Sequence, residues 1–223
     1  MQNARLVKHI LVCAVILIPI AYLAWVWDTL PEMMPMHYDM SGKVDRMGNK
    51  QEFLLAILIL CGVNLFTYLL ISNIHKIDPK RAKAEQSAVF NKLAVGVSLF
   101  LTALSVIIIL SGISNGEGIA QKAILPLVGL LLAFIGNYMN NIKPNYFAGI
   151  RVPWTLNDEN NWEQTHRIAS HVWVAGGVTI CIASLIAKPE VMEVLMLVLI
   201  AIMVIIPVGY SYLLFRNTKS QNQ

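Results

Sequence analysis

Residues 93–113 read LAVGVSLFLTALSVIIILSGI, and none of these side chains is charged. A helix needs about 20 apolar residues to cross the hydrocarbon core of a bilayer, so this run predicts a transmembrane helix. Four more stretches meet the same criterion without a charge: 10–27, 53–72, 168–187 and 194–215. A sixth stretch, 123–139, is shorter, but the long side chain of Lys122 beside it can carry its charge to the membrane surface. The predicted fold class is therefore all-α, a polytopic membrane protein with about six transmembrane helices.

The composition excludes a soluble globular domain. Of the 223 residues, 57% are apolar and 13% are charged, whereas a soluble domain carries about 25% charged residues. The three cysteines, Cys13, Cys61 and Cys181, lie inside apolar stretches without metal-site spacing, so they predict small packing residues and not a disulfide framework. We expect no cofactor, no bound metal and no catalytic residue.

The positions of lysine and arginine predict the orientation. The net charge is +4, and 12 of the 17 lysine and arginine residues lie in the two tails and in the second and fourth loops. Cytoplasmic loops carry an excess of these residues, so both termini are predicted to be cytoplasmic. Because the charges lie next to the spans, they indicate contact with the anionic headgroups of the lipid bilayer and no direct nucleic acid binding.

The first span follows Arg5 and Lys8, as the apolar core of a signal peptide would, but it lacks a small-residue cleavage site. Trp25 and Trp27 lie at its far end, and such aromatic residues favour the membrane interface. We interpret it as an uncleaved first helix.

Two units follow from this arrangement of spans and loops. Residues 1–92 form an N-terminal two-helix unit, with an extracellular loop at 28–52 and a basic cytoplasmic loop at 73–92. Residues 93–223 form a four-helix unit with a cytoplasmic interfacial loop at 137–167. The two substantial loops are therefore predicted to lie on opposite sides of the membrane.

The extracellular loop carries a motif of prolines, glycines and one histidine. The prolines keep the chain extended at the start of the loop, and Asp39 to Gly42 is a turn sequence, so we expect a compact cap on the outer face. His37, with Asp45 nearby, has two interpretations: a ligand-binding or metal-binding imidazole, or one that pins the turn by hydrogen bonding. A single histidine without a second ligand favours the structural role. The motif residues are Pro31, Pro35, His37, Asp39, Gly42 and Lys50.

The cytoplasmic loop is dense in residues that favour a membrane surface. Its aromatic residues, Tyr146, Phe147, Trp154 and Trp162, are predicted at headgroup depth. Its basic residues, Lys143, Arg151 and Arg167, are suited to lipid phosphates. The motif residues are Asn137, Asn145, Gly149, Arg151, Pro153, Trp154, Thr155, Leu156, Trp162, Thr165, His166 and Arg167.

A surface helix is predicted to lead from this loop into the fifth span. Thr155 or Asn157 is expected to cap it, and Trp162 and His166, four residues apart, share one face. Glu159, Glu163 and Arg167 are expected to form an ion-pair stripe beside that face. The helix either anchors the fifth span or docks a partner protein.

Both loops resemble segments of known proteins. The pattern R-x-P-W-T-L from Arg151, followed by W-x-x-T-H-R from Trp162, resembles the characteristic segment of the SdpI family of bacterial membrane proteins. Gly136, Asn137, Lys143, Asn145 and Gly149 extend the resemblance. In the first loop, the matching positions resemble a domain of unknown function that is often found at the N-terminus of these proteins: Pro31, Pro35, His37, Gly42 and Lys50.

The resemblance implies a function that the composition does not show. The best-known member of the family is an immunity protein against a secreted, membrane-active killing peptide, and it also acts as a signalling receptor that holds a transcriptional autorepressor at the membrane. By resemblance, the chain is expected to be a non-enzymatic immunity and signal-transduction protein of the bacterial cell membrane. An extracellular toxin peptide and a cytoplasmic repressor protein would be its partners.

Two alternatives stay open at this point. A small transporter or exporter would place polar groups at the membrane midplane, which Asn64 and His171 suit. His171 is expected to be buried, with Asn64 or Asn137 as its hydrogen-bond partner. A membrane-embedded enzyme would use His37 or the pair Glu163 and His166, which resembles half of a metal or acid–base site.

Overall fold

The computed structural model of the chain describes residues 2–38, 44–78, 84–114 and 119–221. A 3₁₀ turn at Trp27–Thr29 and the strands β1 (Met33–Tyr38) and β2 (Val44–Asn49) lie between the first two helices. The helices are α1 (Gln2–Val26), α2 (Lys50–Ile77), α3 (Ala84–Ile113), α4 (Ile119–Met139), α5 (Pro153–Asn157), α6 (Glu159–Ile186) and α7 (Pro189–Gln221).

In the described part of the chain, six helices are long and apolar enough to cross a membrane, which confirms the predicted fold class. The shortest of these spans, Lys122–Met139 in α4, is the one that the sequence supported least. The fifth span, predicted at 168–187, is the apolar part of α6, which begins at Glu159 and so includes the predicted surface helix that leads into the span. The polar turns before 168 stay helical because several of their side chains form hydrogen bonds inside the protein.

The helices form two compact units. The first contains Met1–Leu70 and Ala94–Leu127, and the second contains Ile71–Leu93 and Val128–Gln223. Both α2 and α3 contribute residues to each unit. The division at 92 and 93 was based on loop motifs, and it stays a prediction.

In the first unit, the motif of the loop at 28–52 forms a β-hairpin. β1 pairs antiparallel with β2, with Met33 opposite Asn49 and Tyr38 opposite Val44. Met34 is completely buried against Gly112 of α3, and the hydroxyl of Tyr38 is hydrogen-bonded to that of Ser111. Because an isolated two-stranded hairpin is only marginally stable, these contacts with α3 hold it in place.

The sequence predicts a compact cap with an extended start here, but it does not predict the strand pairing. Pro35 interrupts the pattern of a regular strand, and the register is irregular between Pro35 and His37. The turn residues Asp39 and Gly42 lie outside the described part of the chain.

In the second unit, α4 and α6 approach closely through glycines. A Cβ at Gly129 would lie 2.5 Å from the backbone nitrogen of Cys181 and 2.6 Å from the carbonyl oxygen of Gly177. A Cβ at Gly177 would lie 2.6 Å from the carbonyl oxygen of Gly129. Small residues of this kind let membrane helices pack with their backbones in contact, and this packing positions the loop that joins the two helices.

Candidate functional site

The segment at 140–158, called the α4–α6 loop below, contains most of the motif of the loop at 137–167. Asn145 organises its first half, and its side chain is completely buried. The amide nitrogen donates to the carbonyls of Lys143 and Ala148 at 2.9 and 3.0 Å. The amide oxygen accepts from the backbone N–H groups of Phe147 and Ala148 at 2.8 and 2.7 Å. Asn145 therefore closes a tight turn with two donors and two acceptors, a set that asparagine and glutamine alone offer.

Gly149 and His166 are matched to each other. Gly149 has a φ of +105°, which disfavours residues with a Cβ. A Cβ at this position would collide with Nε2 of His166. That nitrogen instead accepts a hydrogen bond from the backbone N–H of Ile150 at 3.0 Å, so the missing side chain of Gly149 makes room for the imidazole.

Both ring nitrogens of His166 are occupied by backbone groups. Nε2 accepts from Ile150, so the ring proton lies on Nδ1, which donates to the carbonyl of Trp162 at 2.9 Å. The side chain is 1% exposed. His166 is therefore held in one neutral tautomer as a structural residue of the loop.

Trp162 links the loop to the core of the second unit. Its indole N–H donates to the carbonyl of Ile142 at 2.7 Å, and its ring stacks on His166 with centroids 4.0 Å apart. It packs in a cluster with Ile74, Phe90, Leu93 and Ile142. The predicted shared face of Trp162 and His166 is correct. The Trp162 side chain is completely buried, so it faces the protein interior and not the lipid headgroups. Its depth in the membrane stays a prediction.

The short helix α5 precedes α6 and changes the predicted cap. α5 begins at Pro153, and the hydroxyl of Thr155 accepts from the N–H of Val152 at 3.1 Å and lies 2.8 Å from the carbonyl of Ile150. Thr155 is buried and stabilises α5. The cap of α6 is Asp158, whose carboxylate accepts from the N–H groups of Asn160 and Asn161. The prediction of Thr155 or Asn157 as the cap of α6 is therefore wrong, because the cap lies three residues after Thr155 and one residue after Asn157.

A second network joins the loop to α7. The indole N–H of Trp154 donates to the hydroxyl of Ser211 at 2.7 Å, and that hydroxyl donates to Asn161 at 2.8 Å. The amide of Asn161 donates back to the carbonyl of Ser211 at 2.9 Å, and the hydroxyl of Thr165 donates to Asn161 at 3.1 Å. Leu156, also of the motif, packs beside the core cluster. The network fixes α5, α6 and α7 against one another.

Several motif side chains are exposed on this framework. Arg151 and Arg167 are exposed, as is Asn137 at the end of α4. Arg151 donates to the carbonyl of Tyr146. Tyr146 and Phe147 are also exposed, so the outer surface of the loop combines aromatic and basic side chains. The contact of the basic residues Lys143, Arg151 and Arg167 with lipid phosphates stays a prediction.

Two expectations about polar residues on α6 are wrong. Glu163 was expected to pair along its own helix, but its carboxylate lies 2.8 Å from Nζ of Lys143. His171 was expected to be buried with Asn64 or Asn137, but it is exposed and its Nδ1 lies 2.8 Å from the carbonyl of Arg167 in the same helix. A helical histidine satisfies itself in this way without a partner on another helix.

On the hairpin, His37 is exposed and bonded. Its Nδ1 lies 2.7 Å from the carboxylate of Asp45 across the two strands, which is the hydrogen bond that the structural interpretation expects. Lys50, the first residue of α2, lies 3.5 Å from the carboxylate of Glu32. Pro31 precedes β1, and Pro35 is buried within it.

The residues that were considered for a metal or acid–base site on α6 have other partners in the structure. Across residues 2–38, 44–78, 84–114 and 119–221, no group of three His, Cys, Asp or Glu side chains is placed to hold a metal ion. His166 uses both nitrogens on backbone atoms, and Glu163 pairs with Lys143.

Comparison with known proteins finds two family models that match segments containing these motifs. The model of the SdpI/YfhL protein family matches residues 141–211, which begin in the α4–α6 loop and end at Ser211 of the network with Trp154. The resemblance to the SdpI family is confirmed. The SdpI-like segment thus contains both hydrogen-bond networks described above, although Asn137 precedes it. The model of a domain of unknown function (DUF1648) matches residues 14–61, which include the whole hairpin motif.

The resemblance to SdpI extends over nearly the whole chain. Immunity protein SdpI of Bacillus subtilis (strain 168) is 28% identical over 216 residues, which are 95% of this chain and 95% of that protein. No solved structure matches the chain. Together with the six candidate spans, this similarity identifies a multi-pass protein of the bacterial cell membrane.

Sequence reasoning missed two residues of the SdpI-like segment that the structure makes central. Asn161 and Ser211 are 2% and 0% exposed and bond to each other twice. Ser211 lies inside an apolar span and Asn161 inside a run of polar residues, so neither stands out by type. A polar residue in an otherwise apolar helix is the signal that points to Ser211, because such a group needs a partner in the bundle.

Proposed function

We propose that this chain is a membrane immunity protein that protects its cell from a secreted, membrane-active peptide and that signals by holding a cytoplasmic repressor protein at the membrane. The observation that carries the proposal is the similarity to Immunity protein SdpI over 95% of both chains. That similarity includes both surface loops and not only the apolar spans.

The hairpin is the proposed contact for the peptide. The distribution of lysine and arginine predicts that both termini are cytoplasmic. Because the hairpin follows the first span, it is then expected outside the cell. His37 and Asp45 are exposed on the hairpin, which also carries the exposed methionines Met33 and Met47. Flexible thioether side chains adapt to varied apolar surfaces, so this face suits an apolar peptide that carries a polar group for the His37–Asp45 pair.

The α4–α6 loop is the proposed contact for the repressor. The buried network around Asn145 and His166 gives the loop one shape. Tyr146, Phe147 and Arg151 are exposed on that shape. Arginine and aromatic residues are enriched at the centres of protein interfaces, which supports docking of a protein with an acidic and apolar surface. Coupling to the peptide would require a bundle state that the peptide binds more tightly.

The proposal is tested by expressing the chain in Bacillus subtilis that lacks its own immunity protein. We expect survival to rise over the empty vector for one peptide of a panel of secreted membrane-active peptides. His37→Ala combined with Asp45→Ala should abolish protection, because it removes the polar centre of the hairpin face. Asp28→Ala, an exposed acid outside the strands, is the matched control and should protect fully.

A second readout separates signalling from immunity. In the source bacterium, transcription of the chain's own gene should rise after exposure to the peptide, and Arg151→Ala should reduce that rise while survival stays high. Immunity is disproved if survival is unchanged for every peptide although the protein is present in the membrane. Signalling is disproved if transcription does not rise after exposure to the peptide, and docking at the α4–α6 loop is disproved if Arg151→Ala leaves the rise unchanged.

A further inference from the structure

An apolar groove runs along one side of the first unit. α1 forms one wall with residues 7–15, and α3 forms the other with Val95, Ser98 and Leu99. The cavity volume is about 400 Å³, within the range of about 300–1,000 Å³ that is typical of small-molecule sites. The wall on α1 is about 12 Å long at the rise of an α-helix. The groove therefore has room for one extended apolar chain.

Both walls of the groove belong to candidate membrane spans. The spans are Leu6–Thr29 in α1 and Ser87–Ile113 in α3. Leu11 and Leu99, on the rim, are largely exposed, and in a bilayer the medium around such a rim is lipid. Acyl chains are the molecules that meet the groove at the highest concentration.

The charge at one end of the groove matches an anionic headgroup. Lys8 is the charged residue of the lining and lies in the first turn of its candidate span, which puts its ammonium at headgroup depth. Ser98 also lines the groove, but its side chain is buried. The lining therefore fits an occupant with an anionic group beside Lys8 and an apolar chain along the rest of the groove.

We propose that this groove binds one acyl chain of an anionic phospholipid, with Lys8 at the lipid phosphate. The site is independent of the proposed immunity function, because it uses neither the hairpin nor the α4–α6 loop. A lysine near the membrane surface adds about 1 kcal/mol of attraction to anionic lipid, which corresponds to about a fivefold preference.

The test uses the full chain in vesicles with equal amounts of phosphatidylglycerol and phosphatidylcholine with identical acyl chains. After extraction in mild detergent, native mass spectrometry counts the lipids that stay bound. We expect one retained phosphatidylglycerol, and we expect Lys8→Gln to lower its retention relative to phosphatidylcholine about fivefold. Val95→Phe, which fills the groove, should lower retention of both lipids.

Two matched variants control for charge and bulk. Lys122→Gln removes an exposed lysine of the same unit, and Val63→Phe adds a ring to an exposed position of α2, so both should retain lipid as the wild type does. Leu99→Phe repeats the block from the exposed rim in case Val95→Phe does not fold. The proposal is overturned if Lys8→Gln and Lys122→Gln retain the same lipids. It is also overturned if the wild type carries no lipid, or carries a second copy of the chain that both groove variants displace.

Discussion

The α4–α6 loop and the β1–β2 hairpin both carry sequence motifs, but they place those motifs in opposite environments. Asn145 and His166 of the loop motif are 0% and 1% exposed. The side chains of His37 and Asp45 on the hairpin are 67% and 46% exposed. In the loop, most motif residues are buried and fix the loop conformation, and a few others are exposed on its surface. In the hairpin, the motif residue His37 is itself exposed. Substitutions there should therefore change function with little loss of stability.

The largest effect is expected from Gly149→Ala, which tests whether the loop depends on its buried network. The substitution places a Cβ at a φ of +105° and against His166. Backbone strain and the lost hydrogen bond of Ile150 should lower the free energy of unfolding by about 3 kcal/mol. Thermal unfolding in nanodiscs, followed by tryptophan fluorescence, measures this loss.

Gly209→Ala is the control for this experiment. A Cβ at Gly209, inside α7, meets nothing within 4 Å, so alanine should leave the midpoint unchanged or raise it. If both variants unfold at the same temperature, the loop does not depend on the fit between Gly149 and His166.

A smaller effect is expected from Asn145→Ala. The change removes four hydrogen bonds and leaves buried backbone groups without partners. We expect a loss of about 2 kcal/mol, since water can reach part of the opened turn. The same unfolding experiment measures it, with the exposed Asn140→Ala as the matched control. Equal midpoints for the two alanine variants would show that the turn forms without its central amide.

The smallest effect on stability is expected at the hairpin. An exposed charge pair contributes about 0–1 kcal/mol, so His37→Ala and Asp45→Ala should each change the unfolding midpoint little. A double-mutant cycle gives their coupling energy, which should stay below about 1 kcal/mol. Tyr38→Phe, which removes the bond to Ser111, is the comparison variant and should cost about 1 kcal/mol. A coupling above about 2 kcal/mol would contradict the distinction between the two regions.

The fold could be predicted because transmembrane helices follow from composition over about 20 residues. Each predicted span corresponds to a helix, including the short one in α4. The hairpin could not be predicted in the same way, because its strands lack regular alternation and depend on Met34 and Tyr38 docking on α3.

The sequence predicted which residues belong to the candidate site, but it did not predict which of them are buried or what they bind. Trp162 and His166 carry polar groups that favour a membrane surface when they are considered alone. The burial of Trp162 depends on Ile74, Phe90 and Leu93, which are distant in sequence, and on the carbonyl of Ile142. His166 stacks on the buried Trp162 ring. Likewise, the partner of Glu163 is Lys143 and not a neighbour on α6.

The sequence by itself determined that this chain lies in a membrane, where its spans are and which two loops carry motifs. It could do so because hydrophobic length and rare residue patterns are properties of short, continuous segments. Only the tertiary structure decided which motif residues are buried and which are exposed. Hydrogen bonds such as those of His166 to Ile150 and of Ser211 to Asn161 join residues that are distant in the chain, and burial depends on those partners.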